Sequence, residues 1–100
     1  MQYQIVEANS QATIYLTGKL YLQDIEQLRC DLVQALEKGS KWLTVNLAGV
    51  TYIDSSGLSL FVMLHKCAEQ LHGGLTLLGA HGMVQEIFKR TRLDTLLSIR

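Results

Sequence analysis

The stretch of this 100-residue chain best suited to chemistry is Asp54-Ser55-Ser56-Gly57, three polar side chains and a glycine set directly before an apolar run from Leu58 to Leu71. Backbone N–H groups at the start of a helix lack intrahelical partners, and the helix dipole there favours negative charge. Aspartate and serine are among the best N-cap residues, worth about 0.5–2 kcal/mol over alanine. One cap needs only one side chain, however, and this stretch supplies three, followed by a residue that adds nothing to helix propensity. The surplus points to a hydroxyl open to modification. A phosphate on Ser55 is expected to meet the orphan N–H groups and the positive helix end, which stabilise an added anion by about 0.3–1 kcal/mol, or ~2 when partly buried. A partner covering the same end would have to desolvate nearly two negative charges beside Asp54, a penalty of several kcal/mol. Phosphorylation should therefore release a partner without unfolding the chain.

Nucleophilic catalysis would require a base near Ser55, and His65, His72 and His81 are the histidines present. His65 falls about 15 Å along the helix axis from Ser55, too far for the ~3 Å hydrogen bond of base catalysis. His72 lies farther still, at the other end of the same helix. No Walker-type glycine loop or paired carboxylate site accompanies them. Cys30 and Cys67 lack CxxC spacing and a neighbouring histidine pair, so they read as reduced structural thiols and not as zinc ligands or a disulfide. The expectation is a chain that is not an enzyme and holds no metal or cofactor.

Formal net charge is zero and the basic residues are scattered, which gives no electrostatic footprint for nucleic acid or an anionic membrane. Met1 to Glu7 lack the basic start and apolar core of an export signal, and no apolar run nears the ~20 residues of a membrane span. The expected location is cytoplasmic and the expected partners are proteins. Hydrophobic residues at 48% and charged residues at 18% suit one globular domain over residues 1–100.

The elements that must position the Asp54 stretch follow from periodicity and glycine, because the chain has no proline. Gln11 to Thr17 alternate, with Ala12, Ile14 and Leu16 on one face, as in a half-buried strand. Tyr3 to Ala8 precede them across Asn9-Ser10, predicting a hairpin. Leu22, Ile25, Leu28, Leu32, Val33 and Leu36 recur at helical spacing up to Gly39. Lys41 to Leu47 read as a strand, Ala48 to Asp54 as a loop, and Leu58 to Leu71 as a second helix closed by Gly73-Gly74. Leu75 to Leu78 form another strand, Met83 to Arg90 carry Val84, Ile87 and Phe88 at helical spacing, and Ile99 suits a short last strand.

Strand, helix and strand occur twice in succession, and right-handed crossovers between neighbouring parallel strands put both helices on one face of the sheet. Thr13, Tyr15, Thr44, Asn46 and Thr76 interrupt the strands, so the other face should be wetter. The expected architecture is an α/β two-layer sandwich with a mixed four- to five-stranded sheet and helices mainly on one face. The Asp54 stretch then lies at the carboxyl ends of the parallel strands, where partners usually engage. Ser59, Met63, Lys66 and Gln70 mark the least apolar stripe of the second helix, while Leu60, Phe61, Leu64 and Leu71 can face the sheet. Met63 is either an adaptable anchor for a partner or shallow core.

At this point the chain resembles the STAS domain of anti-sigma-factor antagonists. The likeness is carried by Leu16-Thr17-Gly18, Asn46-Leu47, Val50, Ile53-Asp54-Ser55-Ser56-Gly57-Leu58, Gly73-Gly74, and Val84, Phe88, Leu93 and Leu97. It implies a partner-switching cycle in which the unphosphorylated chain binds a serine kinase that doubles as an anti-sigma factor, is phosphorylated and let go, and is reset by a metal-dependent serine phosphatase. By the resemblance Ser55 is the phosphoacceptor, Asp54 helps present its hydroxyl, and Ser56 and Gly57 shape the helix start. With Ser59 and Met63 these form the expected partner-binding surface. Two departures stand out: Tyr21 replaces the aspartate usual after the second strand, and Arg92 replaces a frequent glycine, suggesting a different turn. The resemblance also implies an alternative, a non-phosphorylated STAS subunit docked on a bacterial lipid-transport ABC system.

Overall fold

The computed structural model describes residues 1–100. The chain forms β1 (Gln2–Ala8), β2 (Gln11–Leu20), α1 (Leu22–Glu37), β3 (Trp42–Ile53), α2 (Ser55–Gln70), β4 (Gly74–Leu78), α3 (Gly82–Arg90), α4 (Leu93–Leu96) and β5 (Ser98–Ile99). The five strands make one sheet in the order β1-β2-β3-β4-β5. The first pair is antiparallel and the rest are parallel. Because each strand lies beside its sequence neighbour, every crossover runs the same way, and the helices collect on one face as expected.

Side-chain alternation shows the two faces. Ala12 and Ile14 of β2, Leu43 and Val45 of β3, and Leu75 and Leu77 of β4 are all buried and lie in register. Leu28, Leu32, Leu60, Phe61, Leu64, Val84 and Phe88 cover them from the helices, with the Phe61 and Phe88 rings 6.4 Å apart. The opposite face carries the aligned row Thr13, Thr44 and Thr76, with Tyr15 opposite Asn46. Val6, Tyr15 and Trp42 remain about half exposed there, so this is the wetter face that the polar strand residues predicted.

The hairpin turns at Asn9 and Ser10, both left-handed (φ 54° and 66°), as a two-residue turn matched to strand twist requires. β3 is longer than its periodicity suggested, since Ala48 to Ile53, read as a loop, continue the strand. Two register irregularities, between Tyr15 and Thr17 and between Gly18 and Lys19, offset the alternation. The buried positions of β3 therefore change from every second residue to every third, Leu47, Val50 and Ile53. Asn46 supports the first offset by accepting the Ala48 N–H at 2.9 Å.

Three endings also depart from the sequence reading. α2 is followed by left-handed His72 (φ 65°), and the glycines serve a different purpose: a Cβ on Gly73 would lie 1.9 Å from the Lys41 carbonyl oxygen. Leu71, assigned to the sheet-facing side, is the C-cap and is exposed. Arg92 takes the left-handed conformation itself (φ 58°), so the turn is one a glycine favours, built at some cost from an arginine.

β1 is tied to the helical layer by Tyr3, whose hydroxyl donates to the Asp31 carboxylate on α1. Asp31 also accepts from Gln27 at 3.0 Å. Burial, and next the bond to Asp31, push the Tyr3 hydroxyl pKa from 10.0 up to about 12. A raised pKa on this acid means that the folded form holds its proton more tightly. The associated stability is complete below pH 10.0 and is lost as pH climbs toward 12. Tyr3→Phe should cost about 1 kcal/mol near neutral pH. Urea unfolding from pH 8 upward checks this, and the gap between variant and wild type should close across that alkaline window.

Candidate functional site

α2 begins at Ser55, three residues before the apolar run, because Asp54 caps it. Asp54 stands in extended backbone (φ −92°, ψ −178°), the usual state of an N-cap. Its Oδ1 accepts the N–H groups of Ser56 at 3.0 Å and Gly57 at 3.2 Å. Its Oδ2 accepts the Leu22 N–H at 2.9 Å, at the start of α1. One carboxylate thus serves the N-termini of two helices. The Asp54 N–H donates in turn to the Leu20 carbonyl at 3.2 Å, fixing the end of β3 beside the end of β2.

This arrangement changes the sequence-based picture of the helix end. The Ser56 and Gly57 N–H groups that a phosphate on Ser55 was expected to meet are already held by Asp54. The surplus of polar residues is explained in part by the bridge to α1, which no local pattern reveals. Gly57 is explained as well: it is buried, and an added Cβ would lie 2.7 Å from Ile53 Cγ2 and 3.0 Å from Leu20 Cδ2. The helix start can sit this low over the strand ends only with glycine at that position.

The named site residues divide into three places. Ser55 is exposed and its hydroxyl bonds to no other group of the chain. Ser56, Ser59 and half-buried Met63 line a shallow groove of about 440 Å³ between α1 and α2, together with Ile25, Arg29 and Leu60. Met63 packs against the core from that groove, so it is shared between surface and interior. Gly57 lies beneath, reachable by no partner side chain without rearrangement. The histidines stand apart: His65 Nε2 meets Glu69 at 3.0 Å and His81 Nε2 meets the Ala48 carbonyl at 2.9 Å. No three His, Cys, Asp or Glu side chains gather where a metal ion could bind. No helix is long and apolar enough to cross a membrane.

Sequence reading did not find the aromatic pair beside this end. The rings of Tyr21 and Tyr52 lie 5.3 Å apart, tilted by 42°. Tyr21 is the N-cap of α1 but cannot cap it with an acidic side chain; Asp24 accepts the Tyr21 N–H at 3.1 Å and Asp54 takes the Leu22 N–H instead. These bonds hold the N–H groups of Tyr21 and Leu22, whereas an aspartate at position 21 would accept from residues 23 and 24, so neither carboxylate replaces that cap.

A mixed sheet covered by helices on one face only, with an exposed serine at a doubly anchored helix start, defines a small two-layer α/β domain. Comparison with known proteins gives its family. Residues 4–98 match the family model described as Mlab, STAS domain. The anti-sigma-B factor antagonist of Staphylococcus epidermidis is 34% identical over 82 residues, covering 82% of this chain and 76% of that protein. The protein of the same name from Staphylococcus aureus is 30% identical over 97 residues, covering 94% and 90%. The Bacillus cell fate determinant SpoIIAA, solved in its phosphorylated form, superposes with a TM-score of 0.80 at 21% identity, over 99% of this chain and 91% of that one. The chain belongs to the STAS domain family and is of the anti-sigma-factor antagonist type.

The geometry separates the roles of three neighbours. Asp54→Ala should cost about 2–3 kcal/mol, more than one ordinary cap, because both helix starts lose an acceptor. Gly57→Ala should also destabilise, since overpacking of about 1–3 kcal/mol exceeds the helix-propensity gain of about 1. Ser55→Ala should stay within about 0.5 kcal/mol of wild type. Denaturant midpoints for the three variants check the order.

Proposed function

We propose that this chain is an anti-sigma-factor antagonist that works by partner switching and performs no catalysis of its own. Its unphosphorylated form binds an anti-sigma serine kinase and so frees a sigma factor. Phosphorylation at Ser55 by that kinase ends the complex, and a metal-dependent serine phosphatase restores the starting form. The observation that carries the reading is the position of Ser55: exposed, structurally unemployed, and one residue after an aspartate whose carboxylate is held by three N–H groups. The relatives' name and the existence of a phosphorylated form of the SpoIIAA neighbour support it.

The physical logic rests on what each state must desolvate. In the free chain a phosphate on Ser55 stays in water, near a positive helix end shared with Asp54, and the fold has no reason to change. In a complex that covers Ser55 the same dianion loses water beside a second anion, and the penalty of several kcal/mol opposes docking. Asp54 contributes by orienting the helix start and by supplying the neighbouring charge, Ser56 and Ser59 offer hydroxyls along the groove, and Met63 is the adaptable apolar contact. Gly57 acts through closeness of packing.

Tyr21, at the position where the resemblance leads one to expect aspartate, favours a second reading, a STAS subunit that docks on a lipid-transport ATPase without phosphorylation. Incubation with ATP and the anti-sigma serine kinase from the same genome separates the two. Mass spectrometry should find one phosphate on wild type and none on Ser55→Ala. Ser55→Asp should fold normally and lose kinase binding in calorimetry, whereas Ser55→Ala should bind and persist in the complex when ATP is present. An Asp variant that binds as tightly as wild type would refute the desolvation argument.

A further inference from the structure

The sheet has two edges, and the fold protects only one of them. β5 closes one side with two residues, too short to template a further strand. β1 closes the other with seven, paired to β2 in an unbroken register and free of proline, lysine and arginine, so the usual devices that blunt an exposed edge are missing along it. The two-residue turn at Asn9-Ser10 makes Ala8 and Gln11 a hydrogen-bonded pair, and Gln4, Val6 and Ala8 therefore turn their backbone groups toward β2. Tyr3, Ile5 and Glu7 turn theirs outward, three N–H and three C=O groups with no strand beyond them.

We infer that a second copy of this chain pairs along β1, antiparallel and about a twofold axis through Ile5. In that register Ile5 meets Ile5, Tyr3 of each copy meets Glu7 of the other, and every outward backbone group finds a partner. A shift of two residues either way would leave Tyr3 or Glu7 beyond the end of the opposite strand. The side chains agree with the same register. Tyr3 and Ile5 are only partly buried against the core, and the added strand covers what they still expose, with Ile5 on Ile5 as a β-branched pair. On the open face, half-exposed Val6 meets Gln4.

The charges along this edge suit a copy of the chain related by a twofold axis. Glu7 and Lys38 line one cavity at the turn end, and Asp31 bonds to Tyr3 at the other end. The axis reverses that order in the second copy, so each Lys38 comes toward the Asp31 of the other, and no charged residue opposes its own copy. One repulsion remains, because each Glu7 also approaches the other Asp31. Asp24 stands two turns before Asp31 on the same flank of α1, past the start of β1. The contact runs about 24 Å along the strand and across the shortest dimension of the domain, 19 Å. That is roughly 450 Å² per copy, less than the ~800 Å² of a standard interface, so the dimer should be weak, with a Kd of about 0.1 mM. Ser55 stands on α2, away from β1, and the pairing does not depend on its phosphorylation.

Sedimentation of the full chain from about 20 μM to about 1 mM, with amide exchange followed at both ends of that range, tests the inference. The mass should rise toward that of a dimer. The Tyr3, Ile5 and Glu7 amides should pass from fast exchange to protection, while those of Gln4, Val6 and Ala8 stay protected throughout. Glu7→Gln removes the remaining repulsion and should lower Kd about threefold. Glu7→Pro, at an exposed position where only an outward N–H is lost, should keep the chain monomeric. A wild-type chain that stays monomeric at the highest concentration overturns the inference, even if β1 accepts a strand from another protein. A dimer in which those three amides still exchange fast overturns it too, since the contact then lies on another surface.

Discussion

The two oxygens of the Asp54 carboxylate organise the end of this domain at which its two long helices begin. One closes the start of α2 and the other reaches across to the start of α1, so the two long helices are fixed to each other through a single side chain at the strand ends. That bridge requires β3 to run as far as Ile53 beside Leu20, and it requires the first turn of α2 to sit against those two residues. Gly57 satisfies the second condition by having no Cβ. The extra length of β3, the glycine and the aspartate are therefore one structural solution, each residue needing the other two.

The rest of the fold gives that bridge a rigid base. Twenty-two buried apolar residues form one cluster between the sheet and the helices, and partly buried Tyr3 and Ile5 of β1, Leu93 of α4 and Ile99 of β5 pack against it. Since the helices occupy one face, the opposite face has only strand side chains to present, and threonine and tyrosine fit there because they tolerate water and favour extended backbone. The asymmetry of the sandwich follows from strand order: with no strand inserted out of sequence, no crossover has cause to pass over the other side.

Much of this was readable in the sequence because it depends on neighbours. The Asn9-Ser10 turn, the alternation of Ala12, Ile14 and Leu16, and the helical spacing of Leu28, Leu32 and Leu36 are local signals, and each marked its element. What stayed hidden depends on residues far apart in the chain. The second half of β3 escaped because its irregular pairing with β2 replaced alternation by a spacing of three. Gly73 reads as a helix stop but is required by the Lys41 carbonyl, more than thirty residues earlier, while the left-handed residue is His72, which no composition rule selects. Asp54 was legible as a cap for α2, whereas its bond to Leu22 joins positions that only the folded sheet brings together. Tyr21 and Tyr52 meet for the same reason.

A residue that carries a reversible charge can be of use as a signal only if the fold does not depend on it. In the switch proposed for this chain, adjacent positions keep the two duties apart. Asp54, with its three N–H bonds, has the structural task. Ser55 follows it on the helix start, inherits the position that the cap defines, and has no bond to lose when its hydroxyl is esterified. Had the capping hydroxyl itself been the modified group, as a serine N-cap would be, phosphorylation would disturb the helix start together with the interface, and release of a partner could not be separated from loss of structure. In the proposed switch, placing the cap on Asp54 and the changeable group one residue later would let the same short stretch hold its shape while its surface charge varies.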